Sequence, residues 1–312
     1  MAPPDLEFKY DGSFEQHVGT GNPALVKKTH KVPYLAISPS RPELSQSGKT
    51  ILITGSSAGI GSFIARGFAQ ASASRVILTG RRQHVLNDTA AKLSQEFGQT
   101  EFLPLPCDVG NLDESTALWT SLQEKGIFVD VLVLNAATFG GEYSILSGGM
   151  EKTWPLFETN VRSLLHFTER LHKQQGYEDK RKYVINVSTN AVHDLAAGAT
   201  MPAYVLSKTS GHLLLQSIAK ETDPKKLQII NFHPGIILSE SGRSIGLDEN
   251  SFPFDHNDLP AHFAVWAATP EAEFLHGRFA WASWDVEEMR SGDVNKSIQA
   301  DPDFLTLGFR GL

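Results

Sequence analysis

Lys49 to Gly61 reads KTILITGSSAGIG, and the fold of the whole chain turns on these residues. Ile51, Leu52 and Ile53 form a bulky apolar run with no helical period, and the run breaks at Thr54-Gly55. That pattern predicts a buried strand ending in a turn. From Ile60 onward the positions Ile60, Phe63, Ile64, Gly67 and Phe68 recur at spacings of three and four, as one face of a helix requires. Gly55, Gly59 and Gly61 therefore fall where a strand becomes a helix.

Glycine at such a junction accepts positive φ and removes the Cβ that would keep a ligand's phosphates off the backbone. The helix that follows offers unpaired N–H groups and the positive end of its dipole, which together bind an anion. Gly55, Ser57, Gly59, Ile60 and Gly61 are thus candidates to cradle a dinucleotide pyrophosphate. The spacing is G-x-x-x-G-x-G rather than G-x-G-x-x-G, and a tight turn without a ligand is the plain alternative. Gly55-Ser56-Ser57-Ala58-Gly59 also satisfies the G-x-S-x-G elbow of a hydrolase, with Ser57 as nucleophile. That reading needs several strands upstream, and almost none precede it.

Upstream, Met1 to Ser47 carries six prolines, Pro3, Pro4, Pro23, Pro33, Pro39 and Pro42, and no sustained period. Residues 1–47 read as an arm, with Phe8, Tyr10, Phe14, Tyr34, Leu35 and Ile37 able to wrap onto the body or a partner subunit. Residues 48–312 read as one domain. The 312 residues carry a net charge of −7, from 35 acidic and 28 basic side chains, without a long basic cluster. This argues against nucleic acid or an anionic membrane as partner. The single cysteine, Cys107, rules out an internal disulfide and a cysteine-based zinc site, and no metal site is expected. No apolar run approaches the ~20 residues that span a bilayer, and no signal layout opens the chain. The expected location is cytoplasmic.

Downstream, strands and helices alternate. Arg75–Thr79, Glu101–Leu105, Val129–Leu134, Tyr183–Val187, Leu227–Phe232 and Arg278–Trp281 read as strands. Helical stretches are expected over about His84–Phe97, Leu112–Lys125, Glu151–Gln174 and Ala203–Glu221. Ile236 to Pro260, rich in Ser, Gly, Asp and Asn, reads as a mobile lid, and the tail beyond Trp281 has no clear pattern. Such alternation implies parallel βαβ units, an α/β fold with a doubly wound sheet and helices on both faces. Ligands collect beyond the C-terminal ends of such strands, where Arg81, Asp108 and Asn135 fall.

Tyr204 and Lys208 are four apart on a predicted helix, so both lie on one face. A nearby ammonium favours the phenolate and lowers a tyrosine's pKa, which suits proton exchange with a carbonyl or alcohol oxygen. The pair follows a strand that ends in two hydroxyl residues, Ser188 and Thr189.

Taken together, Thr54-Gly55-x-x-x-Gly59-Ile60-Gly61, Asp108, Asn135-Ala136, Asn160, Ser188-Thr189, Tyr204-x-x-x-Lys208 and Pro234-Gly235 resemble the short-chain dehydrogenase/reductase family in order and approximate spacing. The resemblance covers roughly Gly48 to Ser239. It implies a Rossmann-type fold and a nicotinamide cofactor, with Tyr204 as acid/base and Lys208 lowering its pKa and holding the nicotinamide ribose. It implies further that Asn160 fixes a water in a proton relay and that a strand-end hydroxyl orients the substrate carbonyl. Asp108 and Val109 would meet the adenine, Asn135 the adenosine ribose, and Ile237 and Ser239, beyond the Pro234-Gly235 turn, the nicotinamide amide. Members commonly pair the helices holding Asn160 and Tyr204, so a homo-oligomer, dimer or tetramer, is expected. The SRPELSQSGKT and GRFAWASWDV segments resemble those of fungal members, many of which serve secondary metabolism.

The chain departs from the family in two places. Counting from Asn186, the usual catalytic serine falls on Thr189, with Ser188 one place earlier, and either gap to Tyr204 is longer than the family norm. A period-2 strand lets only one of the two face the site. Ala137 replaces a usual glycine. After the second strand an NAD site has an acidic residue, whereas here Gly80 is followed by Arg81 and Arg82. A guanidinium on a 2′-phosphate contributes about 1.5–3 kcal/mol, which selects NADP(H) over NAD(H). His193-Asp194 reads as an exposed loop pair, and His233, Trp281 and Trp284 as packed residues. Phe139, Tyr143, Met150 and Met201 would line an apolar substrate. The expected activity is NADP-dependent interconversion of a ketone and a secondary alcohol on such a molecule. The alternative is a nucleotide-binding protein of the same fold without redox turnover, a sensor or a cofactor-assisted isomerase or cyclase.

Overall fold

A computed structural model describes residues 25–177, 179–194, 198–239, 243 and 246–308. Phe8, Tyr10 and Phe14 lie outside the described residues. The chain runs β1 (Thr50–Thr54), α1 (Gly59–Gln70), β2 (Arg75–Gly80), α2 (Gln83–Glu96), β3 (Glu101–Pro106), α3 (Leu112–Glu124) and β4 (Val131–Leu134). It continues through α4 (Ile145–Phe157), a π turn (Glu158–Arg162), α5 (Ser163–His172), β5 (Lys182–Val187), α6 (Pro202–Lys220) and β6 (Leu227–His233). It closes with α7 (Asp258–Ala267), β7 (Phe279–Trp281), α8 (Val286–Ser291) and α9 (Asp293–Ala300). The seven strands form one sheet in the order β3-β2-β1-β4-β5-β6-β7, and every pairing is parallel.

Parallel strands covered on both faces need no polar alternation, which is why β1, β2 and β4 read as unbroken apolar runs. Their side chains alternate between two cores. Ile51, Ile53, Val76, Leu78, Val131 and Val133 join the layer holding α1 and α7, while Leu52, Ile77 and Leu132 join the layer of α3, α5 and α6.

The expected helix over Glu151–Gln174 instead starts at Ile145, bends at Gly149 (φ +58) and carries the π turn. The expected lid ends in α7, which is buried on nearly every side and therefore shows no amphipathic period. Close approach sets its place: a Cβ on Gly67 of α1 would lie 3.2 Å from Ala261.

The described part of the arm packs onto the body. Val26, Ile37 and Leu44 are fully buried. Tyr34 stacks on His30 at 3.6 Å and donates its hydroxyl to Trp284 O at 2.8 Å. His30 Nε2 bonds Asp285 Oδ2 at 2.8 Å, and Arg41 reaches Glu271 at 2.8 Å.

Candidate active site

The turn between β1 and α1 is built around missing side chains. Gly55 has φ +67, and a Cβ there would sit 2.9 Å from Ala136 Cα. A Cβ on Gly61 would come within 2.5 Å of Gly55 O and 2.7 Å of Asn135 Nδ2. Polar side chains lock the turn from behind. Asn135 Nδ2 donates to Thr54 O and Gly55 O, each at 3.0 Å, while Thr54 Oγ1 accepts from Asn135 N and Ala136 N at the same distance. Buried Ser56 donates to Ile53 O and accepts from Thr79 N, each at 2.9 Å. Ala58 precedes α1 and gives it no side-chain cap, so the leading N–H groups of α1 face the cradle without an internal acceptor from the cap. The Cβ atoms missing from Gly55 and Gly61 would strike the protein's own Ala136, Gly55 and Asn135, so glycine is what lets the turn close this tightly, and the unpaired N–H groups at the start of α1 suit a pyrophosphate. Gly59 and Ser239 close it from the far side, since a Cβ on Gly59 would be 3.6 Å from Ser239 Cβ.

Ser57 Oγ lies over Gly80, 3.5 Å from where a Cβ would stand. With β1 the first strand among the described residues, the hydrolase elbow has no upstream sheet there to carry it. Arg81 and Arg82 follow Gly80 at the end of β2, both exposed and in no ion pair with the described residues. At the end of β3, Asp108 Oδ1 accepts from Gly110 N at 2.9 Å, and Val109 is buried beside it.

Across the sheet, α6 presents Tyr204 and Lys208, both buried. Phe139, exposed on the loop after β4, stacks on the Tyr204 ring at 4.7 Å. Lys208 Nζ donates to Val187 O at 2.9 Å, which ties α6 to the end of β5. Burial raises the Tyr204 phenol above its ordinary value and pulls Lys208 down to about 8. The lowering expected of the ammonium on the phenol is not seen here, since desolvation is the one cause of the Tyr204 shift. Asn160, buried in the π turn, holds the loop after β4 with both ends of its amide: Oδ1 accepts from Thr138 N at 3.0 Å and Nδ2 donates to Thr138 O at 2.9 Å. The same Nδ2 reaches Ser207 Oγ at 2.9 Å. Gly211 permits this packing, because a Cβ there would be 2.3 Å from Asn160 O. Ser207 and Gly211 escaped the sequence reading, although both are small residues on the helix turn around Lys208.

The two strand-end hydroxyls part ways, as the period of 2 requires. Ser188 is buried, with Oγ 3.4 Å from His212 Nδ1, on the side of β5 that faces α6. Thr189 is half-buried and its Oγ1 caps the short turn Asn190–Val192, accepting from Ala191 N at 3.3 Å. His212 and His233 are buried, and burial pushes both down to about 3. Neither was singled out as a site residue, and His233 is packed as expected, with its ring 4.5 Å from Trp281. His193 is exposed, yet its ring lies 5.2 Å from Phe279. Trp281 and Trp284 belong to the core. Pro234 is buried, and Ile237 and Ser239 are half-buried after the Gly235 turn. Among the described residues no three His, Cys, Asp or Glu side chains gather as a metal site, and no helix is long and apolar enough to cross a membrane.

Comparison with known proteins bears on this geometry. The family model for short chain dehydrogenases matches residues 49–250. A short chain dehydrogenase/reductase of Claviceps purpurea is 31% identical over 288 residues, covering 92% of this chain and 94% of the relative. The short chain dehydrogenase/reductase AacuD of Aspergillus aculeatus is 30% identical, covering 84% of this chain and 88% of its own. Among solved structures, the RhlG/NADP active-site complex of Pseudomonas aeruginosa superimposes with a TM-score of 0.68 at 26% identity, over 77% of this chain and 97% of that one.

Proposed function

Because this chain belongs to the short-chain dehydrogenase/reductase family, we propose that it is an NADP-dependent oxidoreductase interconverting a ketone and a secondary alcohol on an apolar small molecule. The observation that carries the reading is the buried Tyr204–Lys208 pair on one face of α6, tied to the end of β5 and roofed by the exposed ring of Phe139. NADP(H), when bound, supplies or accepts the hydride at the carbonyl carbon. The chain's own residues handle the proton and the positioning. In reduction the Tyr204 hydroxyl donates its proton to the carbonyl oxygen, and in oxidation the phenolate takes it back. Lys208, protonated below about pH 8, stabilises that phenolate. Asn160 and Ser207 keep α6 and the loop after β4 in register around it.

Thr189 is the hydroxyl we assign to the substrate carbonyl, since Ser188 is buried against His212. The cradle of Gly55, Ser57, Gly59, Ile60 and Gly61 would hold the pyrophosphate, Arg81 and Arg82 the 2′-phosphate, Asp108 and Val109 the adenine, and Ile237 and Ser239 the nicotinamide amide. Exposed Leu165 on α5 and Leu206 and Leu213 on α6 support a dimer built on these helices. We place the enzyme in fungal secondary metabolism on the strength of the SRPELSQSGKT and GRFAWASWDV segments, and in the cytoplasm on the strength of its single cysteine, which suits a reducing compartment.

The test is NADPH consumption against a panel of apolar ketones. Tyr204→Phe should cut kcat by about 10²–10⁴-fold, the usual worth of acid–base catalysis, and leave NADPH affinity within about threefold. Thr189→Val should lower kcat more than Ser188→Ala. Turnover that survives Tyr204→Phe contradicts the assignment.

A further inference from the structure

The turn Gly235–Ile237 is shaped by a residue that lies beyond the 49–250 stretch matched by the family model. Ile236 N donates to Asp255 Oδ2 at 2.9 Å, and Asp255 N donates to Ile236 O at 2.8 Å, a clasp of two bonds across 19 residues. Gly235, at φ +91, lies so close that a Cβ would be 2.3 Å from Asp255 Oδ2. The carboxylate is buried, and its Oδ1 has no hydrogen-bond partner among the described residues. A buried carboxylate with one oxygen unpaired is costly and gains the fold little, so its presence calls for a role beyond stability. The arm stands directly behind it. His256 N donates to Lys31 O at 2.8 Å, and Lys31 Nζ donates to Pro253 O at 3.2 Å. Lys31 is also the charged group felt at Asp255, where burial nonetheless pushes the carboxyl up to about 6.

We propose that Asp255, backed by the arm at Lys31, is a positioning residue that fixes the Gly235–Ile237 turn for the nicotinamide end of the cofactor. The proposal rests on the functional reading above, in which that turn meets the nicotinamide amide. Asp255 acts through the Ile236 N–H, by holding the backbone of the turn at the angle the positive φ of Gly235 creates. An acceptor at this position is what matters, and the negative charge is not required for the clasp.

The experiment is a fluorescence titration with NADPH of the full-length wild type, Asp255→Ala and Asp255→Asn, with KM and kcat measured on each. Asp255→Ala should weaken NADPH binding and raise its KM at least tenfold, with a much smaller fall in kcat at saturating NADPH. Asp255→Asn keeps an acceptor for Ile236 N–H and should restore affinity to within threefold of wild type. Wild-type affinity in Asp255→Ala overturns the proposal, as does an Asp255→Asn protein as weak as Asp255→Ala. Hydrogen exchange on the wild type gives a reading that no variant's folding can spoil: the Ile236 amide should exchange more slowly once NADPH is added, and unchanged exchange overturns the proposal. A wild type that binds no NADPH removes the functional reading and this one together, whereas normal wild-type binding with an indifferent Asp255→Ala removes this one alone.

Discussion

The two sides of the site are made of different materials. On the β1–α1 side the cradle consists of glycines, backbone atoms and neutral amide or hydroxyl side chains, Thr54, Ser56 and Asn135, each with its hydrogen bonds made. On the β5–β6 side sit Lys208, His212, His233 and Asp255, all buried and all shifted in the direction that discharges them. His212 Nε2, His233 Nε2 and Asp255 Oδ1 have no partner among the described residues. A side built from backbone and close approach holds its shape regardless of pH. A side built from desolvated titratable groups ties its shape, and its chemistry, to their protonation.

The sharpest way to break the contrast is steric. Gly61→Ala puts a methyl 2.5 Å from a backbone carbonyl that cannot move aside. The variant should lose NADPH affinity by a hundredfold or more and about 1–3 kcal/mol of stability from overpacking, equally at pH 6 and pH 8. Titration and urea unfolding at the two pH values check this, and a strong pH dependence would mean the cradle is not the neutral frame described.

The opposite side should respond to acid. A buried histidine held near 3 when folded, against about 6.5 unfolded, binds fewer protons in the native state between those values. Stability is therefore present above pH 6.5 and is lost as pH falls toward 3, by up to about 1.4 kcal/mol per pH unit for each such group. His212→Asn, which keeps a hydrogen-bonding atom near Ser188 Oγ, should flatten the acid limb of an unfolding series run from pH 7 to pH 4. An unchanged limb would show that His212 does not carry the acid response.

The same contrast explains what could be read from the sequence. The cradle was legible because its physics is local: a strand, a turn that needs glycine, and a helix follow one another within Lys49–Phe68, and the strand alternation follows from parallel pairing. Tyr204 and Lys208 were legible because four residues on a helix fix their common face. The rest depends on contacts between distant segments. The π turn that aims Asn160 leaves no mark in the local pattern, and Ser207 and Gly211 matter only because α6 lies against it. Ser188 and Thr189 could not be told apart until His212 took one of them. Asp255 sits in a polar stretch read as a lid, where only the fold brings it to Ile236. Helix α7 was hidden for a simpler reason, since a helix apolar all round carries no period to detect.

The central claim is that this frame holds NADP(H), with Arg81 reading the 2′-phosphate, and it is tested most directly by titrating wild type and Arg81→Ala with NADPH and NADH. NADPH should bind wild type at least about tenfold tighter than NADH, in line with 1.5–3 kcal/mol for a charge-assisted contact, and Arg81→Ala should remove that margin while leaving NADH affinity unchanged. Equal binding of the two nucleotides by wild type would contradict the cofactor assignment, and binding of neither would contradict the function.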